Sequence, residues 1–233
     1  MYQDEQLVAI DKPCGLQVHR SRISEETTHF ALQQLRDQLQ QKVFLVHRLD
    51  RPTSGVLLFA LNAEMHQQLR QQFDEKTVQK TYLAIVRGYT PESGRIDKPL
   101  VKLETKKIQS PQAATTDYIR LATVEKPYAI SRYPTARYSL VKIHPLTGRM
   151  HQIRRHFAHL RHYIVGDKKH GERHHNRYFK EELNCTTMFL HAQKLKFRHP
   201  ISQKTITVSA HPHHWNPILS ELGWTGEWEN VRI

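Results

Sequence analysis

The chain has 233 residues, with 35 Lys or Arg against 22 Asp or Glu, so its formal net charge is +13. This length suits one sizeable core rather than several independent domains, and we expect a single domain over residues 1–233. The basic excess predicts a polyanionic partner such as structured RNA.

Two features of the sequence indicate where in the cell the protein is found. The two cysteines, Cys14 and Cys185, are too few for a disulfide framework. No stretch approaches the roughly 18 apolar residues of a membrane helix. We therefore expect a cytoplasmic protein without a membrane partner, and a monomer is the default expectation.

The first half of the chain alternates strand and helix patterns. Residues 6–10 and the apolar run 56–61 predict strands, the second of them buried. Asn62 can then cap a helix. Residues 82–86 predict a strand covered on both sides. The apolar stripe of the predicted helix consists of Met65, Leu69 and Phe73.

The second half is richer in strands. Residues 101–114 are polar and basic and predict a loop that closes on a ligand. Further strands are expected at 118–122, 138–143, 195–197 and 205–208, the last two antiparallel. After the turn at 145–148 a helix is expected, with a core stripe of Met150, Ile153, Phe157 and Leu160. Many strands with a few helices indicate an α+β fold.

One carboxylate, Asp50, stands between Arg48 and Arg51 just before the apolar run. Nearby positive charge favours the ionised form of a carboxylate, so Asp50 is suited to act as a nucleophile or base. In an extended segment Arg48 and Asp50 share a face and can point into one cleft. From this spacing alone, a solvated ion pair in a surface turn is the commoner explanation.

Four segments occur in the same order as the motifs of the RluA-type pseudouridine synthases and resemble them. They are residues 12–19, 47–55, 79–88 and 147–156, and the last is followed by a matching 164–167 segment. The resemblance implies a mixed, largely antiparallel sheet with flanking helices and loops and a central active-site cleft. It also implies an isomerase that needs no cofactor, nucleotide or metal.

The resemblance assigns roles to three catalytic residues. Asp50 matches the catalytic aspartate, which attacks the nucleotide or assists glycosidic cleavage. Tyr82 matches the active-site tyrosine, which stacks on the uracil and is placed to mediate proton removal from C5. Arg154 matches the arginine that forms an ion pair with the aspartate.

The substrate uridine must leave its base stack to be reached. The resemblance implies that Arg48 fills the vacated space, and Ile153 is expected to form an apolar wall of the pocket. Further basic residues are candidates for phosphate contacts. They are Lys12, Lys80, Arg149, Lys168 and Lys169.

The patterns at residues 132–138 and 166–171 are similar to a tRNA-modifying branch of the family. This finer resemblance implies that the chain has no separate N-terminal RNA-binding module and that the substrate is uridine 65 of tRNA. Two alternatives remain: a ribosomal RNA pseudouridine synthase of the same family, and a non-catalytic RNA-folding chaperone on the same scaffold.

Seventeen histidines invite a metal-binding interpretation. None has a carboxylate or cysteine partner at a recognised spacing, so we expect no functional metal. A hydrolase triad of His47, Asp50 and Ser54 is excluded because no nucleophile-elbow pattern is present.

Overall fold

The computed structural model describes residues 1–19, 29–103 and 110–224. Residues 104–109 of the predicted ligand-closing loop therefore lie outside the described residues. The strands, β1 to β10 in chain order, are Tyr2–Gln3, Leu7–Lys12, Phe44–Leu45, Ser54–Ala60, Gln79–Arg87, Ser93–Asp97, Thr115–Lys126, Ala136–Pro145, Leu190–Arg198 and Thr205–Ser209. The helices, α1 to α5, are Ala31–Leu39, Ala63–Asp74, Gln152–His159, Arg173–Glu181 and Asn216–Glu221.

The described chain divides into two compact units. The first comprises Met1–Lys80 and His191–His211, and the second comprises Thr81–Leu190 and the chain from Pro212. Each unit combines strands with helices, which confirms the predicted α+β class. The expected single domain stays a prediction.

Strand β4 is the centre of the first unit. It pairs antiparallel with β2 and β3 and parallel with the start of β9. Strand β10 pairs antiparallel with β9, which confirms the predicted pairing of residues 195–197 with 205–208. One parallel pair among antiparallel ones makes this sheet mixed and largely antiparallel, as expected.

Helix α2 covers the first unit's sheet as its sequence predicts. The Asn62 side chain accepts a hydrogen bond from the Met65 N–H over 2.8 Å and caps the helix. Met65 and Leu69 are buried against Val56 and Leu58 of β4 in one apolar cluster. Burying such side chains contributes about 1.5–3 kcal/mol each, so the packing fixes β4 from one side.

The second unit contains a four-stranded antiparallel sheet in the order β5, β8, β7, β6. Successive side chains of β5 enter different apolar clusters. Leu83 and Ile85 belong to one cluster, and Ala84 and Val86 belong to another. Strand β5 is therefore covered on both faces, as predicted.

Helix α3 is shorter than its predicted apolar stripe. Ile153 and Phe157 are buried in the cluster that contains Ala84 and Val86. Leu160 is 36% exposed, and Met150 is half-buried and lies before the first helical residue. The expectation that all four residues are core is therefore wrong for Leu160, because the helix ends at His159.

Candidate active site

Asp50 lies in the turn that precedes β4. The Thr53 N–H donates to the Asp50 carbonyl oxygen over 3.0 Å and closes this turn. Asp50 is half-buried, whereas Arg48 and Arg51 are exposed. Because all seven residues of β4 are buried, the core holds one end of the turn.

Lys12, at the end of β2, holds the Asp50 turn from inside the first unit. Its ammonium donates to the carbonyl oxygens of Pro13 and Leu16 over 2.9 Å each, and to that of Arg51 over 3.1 Å. Lys12 is fully buried. Burial lowers its pKa to about 8, although nearby negative groups, Asp50 among them, oppose the shift. The predicted phosphate contact of Lys12 does not fit this geometry, because the ammonium is enclosed by backbone carbonyls.

Further hydrogen bonds join the turn after β2 to the Asp50 turn. The Gly15 N–H donates to the Arg51 carbonyl oxygen over 2.9 Å, and Arg51 Nε donates to the Gly15 carbonyl oxygen over 3.1 Å. The Cys14 thiol lies 3.1 Å from the Pro52 carbonyl oxygen. The sequence motif around Lys12 thus builds a second turn that supports the first.

The start of β4 is fixed against β9 at close range. Gly55 has a φ of +107°, and a Cβ there would lie 2.2 Å from the Ala192 carbonyl oxygen, so no side chain fits. Ser54 Oγ lies 2.9 Å from His191 Nδ1, and His191 Nε2 lies 3.1 Å from the Ala210 carbonyl oxygen. Since a carbonyl only accepts, Nε2 carries the proton, and the Ser54 hydroxyl donates to Nδ1.

Burial also lowers the pKa values of His47 and Lys80, two residues of the first unit. Burial lowers the pKa of His47 to about 3, and the charge of Lys80 adds to the shift, so the imidazole is neutral. His47 Nε2 accepts from the Leu58 N–H over 3.1 Å, and the ring stacks on Phe73. Lys80 is half-buried, and burial lowers its pKa to about 8. Its predicted phosphate contact stays a prediction.

Tyr82 and Ile153 belong to the same packed region of the second unit. Tyr82 stands on β5 opposite Ile143 of β8. It is half-buried and packs against the apolar cluster that includes Ile153. The aromatic ring and the predicted apolar wall therefore belong to one packed surface.

Arg154 makes a buried bidentate ion pair with Asp167. Arg154 Nε and Nη2 donate to the two carboxylate oxygens over 2.8 Å each, and the side chains are 5% and 1% exposed. The N–H groups of Lys169 and His170 also donate to the Asp167 carboxylate. Burial raises the pKa of Asp167, but the hydrogen bonds and charge of Arg154 outweigh burial and bring the pKa below its usual value. A carboxylate bonded in this way stays ionised and fixes the guanidinium plane.

The loop that carries Asp167 is held by hydrogen bonds to Asn176 and by a close backbone approach at Gly171. The Asn176 amide donates to the Asp167 carbonyl oxygen and accepts from the Gly166 N–H, both over 2.8 Å. A Cβ on Gly171 would lie 2.2 Å from the Asp167 carbonyl oxygen. Helix α4, which supplies Asn176, is capped by the Glu172 carboxylate.

The remaining basic candidates differ in exposure. Lys168 and Lys169 are exposed beside Asp167. Arg149 is half-buried, and its Nε donates to the Ala113 carbonyl oxygen over 3.1 Å. Their predicted phosphate contacts stay predictions.

Two features are absent from the part of the chain that the structure describes. There, no group of three or more His, Cys, Asp or Glu side chains is arranged to hold a metal ion. Among the same residues, no helix is long and apolar enough to cross a membrane.

The structure groups the predicted catalytic residues by unit. Asp50 belongs to the first unit with Lys12, while Tyr82 and Arg154 belong to the second. The predicted ion pair between Asp50 and Arg154 stays a prediction. The partnership of Arg154 with Asp167 was not predicted, because a separation of 13 residues has no characteristic pattern.

A family model described as RNA pseudouridylate synthase matches residues 6–159. This range is more than half of the chain and contains Asp50, Tyr82 and Arg154. The match confirms the family resemblance seen in the sequence motifs.

Two relatives and one solved structure that are similar to this chain carry names from the same family. Proteins named tRNA pseudouridine synthase C from Haemophilus ducreyi and Haemophilus influenzae are 50% and 48% identical to this chain over 231 and 240 residues. The matches cover 96% and 99% of this chain and 95% and 98% of those proteins. The structure of human RNA Pseudouridylate Synthase Domain Containing 4 is 25% identical with a TM-score of 0.72, covering 95% of this chain and 92% of that one.

Proposed function

Because the chain belongs to the RNA pseudouridylate synthase family, we propose that it converts a uridine of tRNA to pseudouridine. The observation that carries the tRNA assignment is the 50% identity, over nearly the whole chain, with a protein named tRNA pseudouridine synthase C. The geometry supports catalysis, because a half-buried Asp50 is presented by a turn tied to the core at several points.

The reaction is an isomerisation that breaks the C1′–N1 bond and forms a C1′–C5 bond. The proton on C5 is lost and N1 gains one, so no redox partner is required. In our proposal Asp50 attacks the nucleotide or assists cleavage, and a carboxylate nucleophile divides one difficult step into two easier ones. Attack at C6, attack at C1′ and a glycal route all use the same carboxylate.

Two residues of the second unit act on the base in this proposal. Tyr82 stacks on the uracil, and its hydroxyl mediates removal of the C5 proton. Its packing against the apolar cluster that includes Ile153 supports this role, because the packing holds the half-buried side chain in place. Arg154 forms an ion pair with Asp50 while Asp167 holds the guanidinium plane.

The RNA is held by basic residues at the surface in this proposal. Arg48, which is exposed, fills the space left when the uridine leaves its stack. Lys168 and Lys169 are exposed, and the charge of the adjacent Asp167 is already compensated by Arg154. Contacts of these lysines with phosphate would add a salt-dependent, sequence-independent share of the affinity.

We further propose uridine 65 as the target, and a monomer acting in the cytoplasm, where tRNA is processed. The test is to map pseudouridine in total tRNA and ribosomal RNA from cells with and without the gene. Each deletion strain is complemented with wild type, Asp50→Asn or Asp74→Asn, the last an exposed aspartate at the end of α2.

Loss of one tRNA pseudouridine, restored by wild type and Asp74→Asn but not by Asp50→Asn, is the expected result. Loss confined to ribosomal RNA would contradict the tRNA assignment and favour a ribosomal RNA synthase. An unchanged map would contradict catalysis and favour an RNA-folding chaperone.

A further inference from the structure

The face of α3 opposite Arg154 is fixed by buried hydrogen bonds that the proposed chemistry leaves unexplained. Gln152 and His156 each lie two residues from Arg154, which is about 200° around a helix axis. Both side chains are buried, and both reach Thr116 of β7. Gln152 Nε2 donates to the Thr116 hydroxyl oxygen over 2.9 Å, and His156 Nδ1 lies 2.9 Å from that oxygen.

One assignment of protons satisfies the whole chain of bonds. His156 Nε2 lies 3.0 Å from the Lys98 carbonyl oxygen, which only accepts, so Nε2 carries the proton. His156 Nδ1 then accepts from the Thr116 hydroxyl, whose oxygen accepts from Gln152. The Gln152 carbonyl oxygen accepts from the Thr147 hydroxyl over 2.6 Å.

This assignment requires a neutral imidazole at His156. Burial lowers the pKa of His156, and the charges of Arg155 and His159 lower it further. The Lys98 carbonyl and the Asp97 carboxylate act in the opposite direction. The neutral form therefore prevails at neutral pH, where its Nδ1 lone pair is available to Thr116.

Helix α3 depends on such contacts for its orientation. It has only eight residues, and its N-cap, His151, makes no side-chain capping bond. Isolated helices of this length are unstable, so tertiary contacts decide how the helix is rotated. Asp167 holds Arg154 on one face, and Thr116 holds Gln152 and His156 on the opposite face.

We propose that Gln152, Thr116 and His156 are positioning residues. They fix the rotation of α3 about its own axis and thereby orient the Arg154 guanidinium for the reaction. The proposal rests on the proposed function, since it concerns the work of Arg154 in uridine isomerisation. A misplacement of about 1 Å at a reacting group can cost about 100-fold in rate.

The first test compares variants of two buried hydroxyls in the same unit. Thr116→Val removes the hydroxyl with little change of shape, and Thr116→Ser keeps it. Ser139→Ala is the matched control, because the Ser139 hydroxyl is also buried with two hydrogen bonds, to Gly88 and Thr90. Melting temperature, the tRNA dissociation constant and the single-turnover rate of pseudouridine formation are measured for each.

Thr116→Val should lower the single-turnover rate about tenfold or more while the dissociation constant changes less than about twofold. Thr116→Ser should react at a rate within about threefold of wild type. Ser139→Ala should change the rate less than about twofold, even if it lowers the melting temperature as much as Thr116→Val does. An equal loss of rate in Thr116→Val and Ser139→Ala would overturn the proposal, as would a Thr116→Val rate within about twofold of wild type.

The second test needs no variant. Nitrogen NMR of the histidine rings in the wild-type protein should show His156 neutral with its proton on Nε2 at neutral pH. A protonated ring or a proton on Nδ1 would overturn the proposal. If wild type forms no pseudouridine in tRNA, the proposed function fails while this measurement still tests the hydrogen-bond chain.

Discussion

At the scale of single residues, Lys12 and Asp167 hold the Asp50 turn and Arg154, respectively, through buried hydrogen bonds. Lys12 places its ammonium among three carbonyl oxygens, one of them from the residue that follows Asp50. The Asp167 carboxylate accepts hydrogen bonds from Nε and Nη2 of Arg154. Two of the three predicted catalytic residues, Asp50 and Arg154, are thus held in place by a buried charged residue that makes several hydrogen bonds.

Lys12→Met should weaken both stability and activity. The substitution keeps most of the side-chain volume but leaves three carbonyl oxygens without their shared donor. An unsatisfied buried polar group costs about 1–3 kcal/mol, so we expect urea unfolding to show a loss of about 2 kcal/mol. Pseudouridine formation should fall about tenfold or more, because the Asp50 turn is no longer tied.

The matched control is Lys204→Met, an exposed lysine of the same unit. It should change the free energy of unfolding by less than about 0.5 kcal/mol. A Lys12→Met protein as stable and as active as this control would contradict the supporting role of Lys12.

Tyr82→Phe should separate two roles of one side chain. The phenyl ring keeps the packing against the Ile153 cluster and the stacking on uracil, so tRNA binding should change less than about twofold. Losing the hydroxyl should lower the single-turnover rate by about 100-fold or more, as expected when a proton-transfer group is removed. Tyr133→Phe, at an exposed tyrosine, is the control. Full activity of Tyr82→Phe would refute the proton-transfer role.

At the scale of elements, close backbone approach and helix orientation position the site. Strand β4 meets β9 at Gly55 and Ala192, where there is no room for a side chain. Helix α3 is placed by contacts on opposite faces. Neither feature follows from periodicity, which predicts that an element exists but not how it is rotated or how closely it approaches its neighbour.

Gly55→Ala should destabilise the first unit strongly. The new Cβ would lie 2.2 Å from the Ala192 carbonyl oxygen at a φ of +107°, so the strands must separate. Strain of this kind costs about 1–3 kcal/mol, and we expect urea unfolding to show a loss of at least about 2 kcal/mol. Gly148→Ala, which meets no atom within 4 Å, should cost less than about 1 kcal/mol. Equal losses in the two variants would contradict the close approach of β4 and β9.

The limits of prediction from sequence are clearest for α4 and for Lys12. Helix α4 was not predicted, because its polar run has only His175 and Phe179 buried and its N-cap is a glutamate rather than a commoner capping residue. Lysine is almost never fully buried, so residue type gave no sign that Lys12 would face inward. Apolar runs and turn residues mark the Asp50 turn and seven of the described strands locally, so these elements were predictable. The strands that the sequence analysis did not predict are β1, β3 and β6.

At the scale of the whole molecule, neutral buried histidines make stability depend on pH. Burial lowers the pKa of His175 to about 4 and that of His47 to about 3, from a usual value of 6.5. The unfolded chain therefore takes up protons below about pH 6.5 that the folded chain does not, and folding is favoured less as the pH falls. Carboxylates with a lowered pKa, such as Glu172 at about 2, contribute to this loss only at lower pH.

Urea unfolding should therefore show lower stability at about pH 5.5 than at about pH 7.5. The amide of His175→Gln can donate to or accept from the Tyr138 hydroxyl, which lies 2.8 Å from His175 Nδ1, but it cannot take up a proton. The stability of this variant should fall less over the same interval. Stability that is constant or rises on acidification would contradict the neutral, buried state of these rings.

The most direct measurement of the central claim follows the hydrogen on C5 of uridine. Purified protein is mixed with tRNA transcribed from uridine that carries tritium at C5, and release of tritium into water is counted. Pseudouridine formation requires loss of this hydrogen, so wild type and Asp74→Asn should release it at equal rates and Asp50→Asn should release none. Equal release by wild type and Asp50→Asn, or no release by wild type, would contradict the account.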